Sequence, residues 1–192
     1  LRSGVRPDGA HYFPAFPYPS FSRIDDADAR DLWAHMRSLP PDRRASRPHD
    51  LNFPFSLRFL VGFWKWLYFS PGPFAADASR TPALNRGAYL VGALGHCGEC
   101  HTPRNLIMAR DGSRFMMGGP HPEGQGKVPS LHGLVETGRY KDQKDLVLAL
   151  QNGEVFGYEN MSSGGMGQVQ ANMAKLPQAD VEAIAEYLIS LK

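Results

Sequence analysis

The stretch that decides how this chain is read is GALGHCGECHTPRN, residues 92–105. It holds both cysteines of the sequence, Cys97 and Cys100, with His96 and His101 beside them. Ligands this soft and this crowded serve three chemistries: a zinc site, a dithiol redox pair, or covalent attachment of haem. Each makes a different demand on the surrounding residues.

A structural zinc site takes four ligands in a tetrahedron, as a rule from two separated pairs. The chain has no second cysteine pair and no His-x-x-x-His downstream, and His96 and Cys97 are adjacent, which makes joint chelation awkward. A thioredoxin-like dithiol follows a buried strand. Here the preceding run is NRGAYLVGALG, residues 85–95. Tyr89, Leu90, Ala93 and Leu94 fall on one helical face, and Gly95 stands where that helix would stop. Haem attachment needs Cys-x-x-Cys-His without a gap, and Cys97, Cys100 and His101 supply it. Two intervening residues let both sulfurs reach the vinyl groups along one haem edge. The contiguous histidine then turns its imidazole to the iron. This third reading uses both cysteines and the histidine together, and it is the one adopted.

With that motif in place, the chain resembles the class I cytochrome c family over residues 80–192, most specifically in RGAYLVGALGHCGECHTPRN. It is similar to the cytochrome subunits that accompany bacterial periplasmic dehydrogenases of the alcohol, aldehyde and molybdenum hydroxylase types, which often string several such domains together. The resemblance implies an all-α class I cytochrome c fold, with short helices and long loops around one covalently bound haem c. The abundance of Gly and Pro, 20 and 16 residues, agrees with many turns and loops.

One axial position on the iron remains to be filled, and a Met thioether is the usual partner in electron-transfer cytochromes. Of the seven Met residues, Met108 lies too close to the motif, and Met116 and Met117 sit in a Gly/Pro loop. Met161, Met166 and Met173 fall between two expected helices, where the family's distal loop lies. Met166, in SSGGMGQVQ, is the preferred ligand, because Gly164, Gly165 and Gly167 let the backbone approach closely. The family pattern of a Gly-rich turn before the ligand Met agrees; Met161 and Met173 are the alternatives. The resemblance further implies that the Pro129 carbonyl, in GKVPSLHGL, accepts from the proximal imidazole. Arg104 is expected either at a haem propionate or in solvent. His96, His121 and His132 read as surface or loop residues.

DQKDLVLALQNG predicts a helix from about Asp142 to Asn152, with Asp142 as N-cap and Gly153 as stop. LPQADVEAIAEYLISL predicts a final helix from Pro177 to about Leu191, with Pro177 at its first position. Val181, Ile184, Ala185, Leu188 and Leu191 form its apolar stripe. In the family the first and last helices cross closely, and Gly87 and Tyr187 are placed to meet there.

The front of the chain echoes the back. IDDADARDLWAHMRSL, from Ile24 to Leu39, lies on residues 176–191 without gaps, with the same apolar pattern. GVRPDGAHYFPAFPYPSF, residues 4–21, resembles the distal loop of a first cytochrome domain, with Phe16 where some relatives carry a ligand Met. Residues 1–46 are therefore expected to be the C-terminal part of a first cytochrome-like domain or an N-terminal extension. A second haem would require a missing upstream segment, and His11 is then a candidate ligand. Residues 47–79 read as a Pro/aromatic-rich linker, carrying Phe53, Phe55, Phe59, Phe63, Trp64, Trp66, Tyr68 and Phe69. A free linker would be polar, so a short helix from about Ser56 to Phe69 is expected to pack on the cytochrome, a partner subunit or a membrane surface. Its apolar run, broken by Arg58 and Lys65, is shorter than the roughly 20 residues a spanning helix needs.

The net charge of +2 gives no case for nucleic acid. It divides as +2 over residues 1–47, +4 over 48–141 and −4 over 142–192, which suits oriented docking with a charged protein or an ordinary solvated surface. The function expected is one-electron transfer by a c-type cytochrome, the electron-transfer subunit of a periplasmic dehydrogenase or respiratory chain, and not an enzyme in its own right. Its partners would be a dehydrogenase catalytic subunit and a downstream cytochrome, quinone site or oxidase, with peripheral membrane contact through residues 55–69. The alternatives are a haem enzyme such as a sulfur-compound oxidoreductase, which the lack of a spare Cys disfavours, or a fragment of a di- or tri-haem subunit. With no Lys/Arg-led apolar leader and Leu1 in place of Met, a signal peptide is expected to be absent or already removed, and the start favours a piece of a longer chain. Haem c chemistry implies the periplasm, near the inner membrane surface.

Overall fold

The structure, a computed structural model, describes all residues except 46, 48, 123–125 and 153–164. The chain divides into two compact units, Leu1–Ala75 and Ala76–Lys192.

In the first unit, α1 is Tyr18–Phe21, α2 is Asp26–Ser38 and α3 is Leu60–Tyr68. Asp25 caps α2 by accepting from the Asp28 amide at 2.8 Å, satisfying one of the free donors at a helix start. The core here is small, centred on the fully buried Tyr18 and Ile24. Phe69 meets the Tyr18 ring edge-on at 5.1 Å, and Lys65 donates to Ser3 O at 2.5 Å while lying over the Tyr18 ring. Arg58 donates to His11 O at 2.7 Å. The stretch read as a linker thus meets the front segment through Arg58, Lys65 and Phe69, while Phe53, Phe55, Phe59, Phe63 and Trp66 stay exposed. His11, the candidate second ligand, rests against α3 with Nδ1 3.4 Å from Lys65 Nζ. Helix α2 buries none of its residues. Leu32 and Met36 are exposed where the matching positions of the echo, Ile184 and Leu188, are buried.

Among its described residues the second unit is helical, with one short antiparallel pair of strands. Helix α4, Pro82–Tyr89, starts where Thr81 accepts from the Leu84 amide at 3.1 Å and Pro82 fills the first position, which has no use for an N–H. It runs into a π-helical turn, Leu90–Leu94, then α5, Gly98–His101. The segment ends at Gly95 as expected, but through a π turn rather than a left-handed glycine. Gly95 stays right-handed at φ −79, and His96 takes the positive φ of 40. After a 3₁₀ turn at Gly112–Arg114, β1 (Gly119–Pro120) pairs antiparallel with β2 (Lys127–Val128), Gly119 opposite Val128. Helices α6 (Gln143–Asn152), α7 (Gly165–Met173) and α8 (Gln178–Ile189) follow.

Asp142 caps α6 through the Asp145 amide at 3.1 Å, while Gly153 lies outside the described residues. Pro177 sits one place before its expected position: with ψ 142 it is the N-cap of α8, and Gln178 opens the helix. Helix α8 packs on α4, on α6 and on the π turn. Its buried residues include Val181, Ile184, Ala185, Tyr187 and Leu188, while Leu191 is only half-buried. The α4–α8 crossing is tight: a Cβ added at Gly87 would overlap the Ala183 carbonyl and stand 2.7 Å from Tyr187 Cβ. Arg86 clamps the same pair, donating to both oxygens of Asp180 at 2.8 and 2.9 Å. That hydrogen bond holds the Asp180 carboxyl below its ordinary range.

Candidate functional site

The site grows from the turn that follows the π segment. Cys97 precedes α5, and Cys97 O accepts from the amides of Cys100 at 3.2 Å and His101 at 2.9 Å. One tight turn therefore carries both sulfurs and the imidazole, with the cysteines three apart and hence neighbours on the helical surface. Cys97 is half-buried and Cys100 exposed.

Burial pushes the Cys97 thiol up to about 11. Because the thiolate is the reacting form, iodoacetamide near neutral pH is expected to modify Cys97 in the unmodified chain roughly 100-fold more slowly than an ordinary thiol. Mass mapping of the labelled peptide reads this directly. Labelling of Cys97 at an ordinary rate would contradict the burial.

His101 is buried at the end of α5. Its Nδ1 lies 2.9 Å from Pro129 O. A carbonyl only accepts, so Nδ1 carries the proton, and Nε2 is left with the lone pair. Burial holds His101 below the usual imidazole range; the Pro129 bond opposes this, and the charge of Arg139 adds to it. The ring is thus a neutral imidazole fixed in one tautomer, the form that binds a metal through Nε2.

The chain positions Pro129 by a device that the sequence did not announce. The β1–β2 hairpin delivers residues 128–130 beside α5. Gly118 N donates to His101 O at 2.7 Å, and Leu131 N donates to Met116 O at 2.8 Å. The Met116 amide in turn donates to Thr102 Oγ1 at 3.1 Å. Met116, set aside as a loop residue, is fully buried. His132 is also more than a surface residue, its ring nitrogens lying 2.7 Å from Lys192 O and 2.8 Å from Phe115 O. The Thr next to His101 and the MMGG run at 116–119 were the available signals.

Arg104 turns inward, with Nη2 donating to the Glu99 carboxylate at 2.8 Å and to Glu99 O at 2.9 Å. Its Nη1 donates to Met108 O at 2.9 Å. The buried Nε has no hydrogen-bond partner among the described residues. Met166 is the second residue of α7, a helix where the sequence suggested a loop, and α7 packs on α6. Met173 closes the same helix, whereas Met161 and Gly164 lie outside the described residues.

The donor set at this turn is therefore two thiols and one neutral, oriented imidazole. Such a set fits a haem held through two thioethers and a proximal nitrogen, and the buried Arg104 Nε suits an anionic oxygen.

No protein-family model matches the chain. It is 43% identical over 190 residues to a diheme cytochrome c-type protein of Cereibacter sphaeroides, a match covering 98% of this chain and 62% of that protein. It is 36% identical over 196 residues to the fructose dehydrogenase cytochrome subunit of Gluconobacter japonicus, covering all of this chain and 39% of that subunit. It is 37% identical over 203 residues to the cytochrome c subunit of the quinone-type alcohol dehydrogenase of Gluconacetobacter polyoxogenes, covering all of this chain and 42% of that subunit. The chain spans less than two thirds of the length of each of these relatives.

Proposed function

Because the chain belongs to the family of c-type cytochromes that includes cytochrome subunits of bacterial dehydrogenases, we propose that it is a one-electron carrier with a single haem c, acting as the electron-transfer subunit of such a dehydrogenase. The catalytic subunit would be its donor, and a cytochrome, quinone site or oxidase its acceptor. When bound, haem c supplies one iron that alternates between ferric and ferrous states. Cys97 and Cys100 would hold it, with His101 and Met166 as axial ligands.

The observation that carries this reading is the His101–Pro129 pair. The bond at 2.9 Å fixes the ring and frees Nε2, and a neutral histidine so oriented is better suited to ligation than to acid–base work. Arg104 would offer its buried Nε to a propionate oxygen. The tight α4–α8 crossing at Gly87 supports a class I cytochrome c fold for residues 80–192. Periplasmic location is part of the same proposal, through the haem c chemistry. Among the described residues no helix is long and apolar enough to cross a membrane. Peripheral contact through 55–69 would use Phe59, Phe63 and Trp66, exposed by 71%, 61% and 77%.

If His101 and Met166 both ligate the iron, the reduced protein should bind carbon monoxide slowly or not at all; rapid binding would favour an enzyme with an open iron. Met166→Ala is expected to abolish the sulfur-to-iron charge-transfer band in the far red and to speed carbon monoxide binding. A variant that kept the band would transfer the ligand role to another methionine.

A further inference from the structure

Between the two cysteines the chain places a charge that the electron-carrier reading leaves unexplained. Glu99 is the residue before Cys100, and its side chain is only 10% exposed. A carboxylate is not left buried without partners, and two guanidiniums converge on this one. Arg104 Nη2 lies 2.8 Å from Oε2, and Arg110 Nη1 lies 3.5 Å from Oε1. Both arginines come from one folded loop. Residues 104 and 110 form an antiparallel bridge, and the Asn105 side chain accepts from the amides of Ile107 at 3.1 Å and Ala109 at 3.0 Å. Asp111 N closes the base of the loop on Pro103 O at 2.8 Å. Arg110 also lies over the attachment turn itself: a Cβ on Gly98 would stand 3.4 Å from its Nη1.

We propose that Glu99, Arg104 and Arg110 form a charge clamp that tunes the electron affinity of the Cys97–His101 turn. The two arginines favour the reduced state, and Glu99 restrains them. This rests on the haem c reading above. Uptake of one electron removes one positive charge at the turn, so a nearby cation favours the reduced state and a nearby anion the oxidised state. The three groups together leave one net positive charge. The arginine side chains are 16% and 25% exposed, so water and salt screen them less than surface charges. All three are positioning residues, acting on the site through the field and through the shape of the turn.

The test is a redox titration of the haem-loaded protein with dithionite and ferricyanide through mediators. Glu99→Gln is expected to raise the midpoint potential and Arg110→Gln to lower it. The double variant, which restores the net charge, should return close to the parent value, and Arg110→Lys should hold it. A merely structural clamp would behave differently, because loosening the turn admits water in either single variant and moves both potentials the same way. Equal-sign shifts, or none, would overturn the proposal. If Glu99→Gln fails to load haem, the Arg110→Gln and Arg110→Lys pair decides alone, since only a charge effect separates them. A pyridine haemochrome spectrum on each sample separates the two levels of failure. Absence of haem c from the parent chain defeats the carrier reading, whereas loaded protein without opposed shifts defeats only the clamp.

Discussion

Gly87→Ala is expected to lower the stability of the unit formed by residues 76–192 by about 3 kcal/mol or more. The new methyl group would overlap the Ala183 carbonyl and sit 2.7 Å from Tyr187 Cβ. Neither neighbour can swing aside, because one is helix backbone and the other the root of a side chain. Helices α4 and α8 must therefore separate, loosening the packing of Tyr89, Val181 and Leu188, all buried. The better helix propensity of alanine returns only about 1 kcal/mol. In a chain of this size the net loss corresponds to a fall in Tm of roughly 10 °C, read by far-ultraviolet circular dichroism. Gly112→Ala is the control, since nothing lies within 4 Å of its added Cβ, and it should change stability by less than about 0.5 kcal/mol. Equal behaviour of the two variants would contradict the close crossing.

Gly118→Ala is expected to cost about as much, and to reach the site. Gly118 has φ +71, and its added Cβ would stand 2.5 Å from Val128 O and 2.6 Å from both Pro129 C and Ser130 N. The left-handed conformation costs an alanine about 1–2 kcal/mol, and crowding against backbone adds about 1–3 kcal/mol. The segment pushed away, residues 128–130, includes the Pro129 carbonyl that holds His101 Nδ1 at 2.9 Å. Gly118→Ala should therefore unfold at lower denaturant and also show faster solvent exchange of the His101 Nδ1 proton by NMR. Gly87→Ala should show mainly the first effect. If Gly118→Ala lost stability but left that proton protected, the hairpin would not be what positions the imidazole.

Much of the second unit could be read locally. The Cys97-x-x-Cys100-His101 spacing is visible in the sequence alone. Helices α6 and α8 announce themselves through Asp142, Pro177 and a helical apolar period, because caps and periodicity act over a few residues. What escaped was set by longer-range contacts. Pro177 fits either a first turn or an N-cap, and only its ψ of 142 places it outside the helix. Helix α7 was missed because GMGQVQANM opens on glycines and carries a β-branched valine, a weak helix former by composition. It forms where it can pack on α6.

The aromatic stretch from 53 to 69 was hidden by its prolines, although its apolar content already argued against a free linker. In the structure Phe69 stacks edge-on against Tyr18, and Lys65 reaches Ser3. Arg104 shows the same limit at the site. Its identity was visible, but its direction depends on a loop that brings residues 104 and 110 together. Glu99, between the two cysteines, anchors both guanidiniums, a role that depends on the same loop. The close approach of Val128 and Pro129 to Gly118 is likewise a contact between residues distant in sequence, which no local pattern announces.

The most direct test of haem c at Cys97 and Cys100 is a pyridine haemochrome spectrum, taken with intact mass on the chain matured in a host that attaches haem. One covalently retained haem per chain is expected, with the haemochrome band position of a haem whose two vinyl groups are both saturated by thioethers. A chain that matures without retained haem, or that yields haem extractable by acidified acetone, would contradict the assignment of Cys97, Cys100 and His101 as its attachment turn.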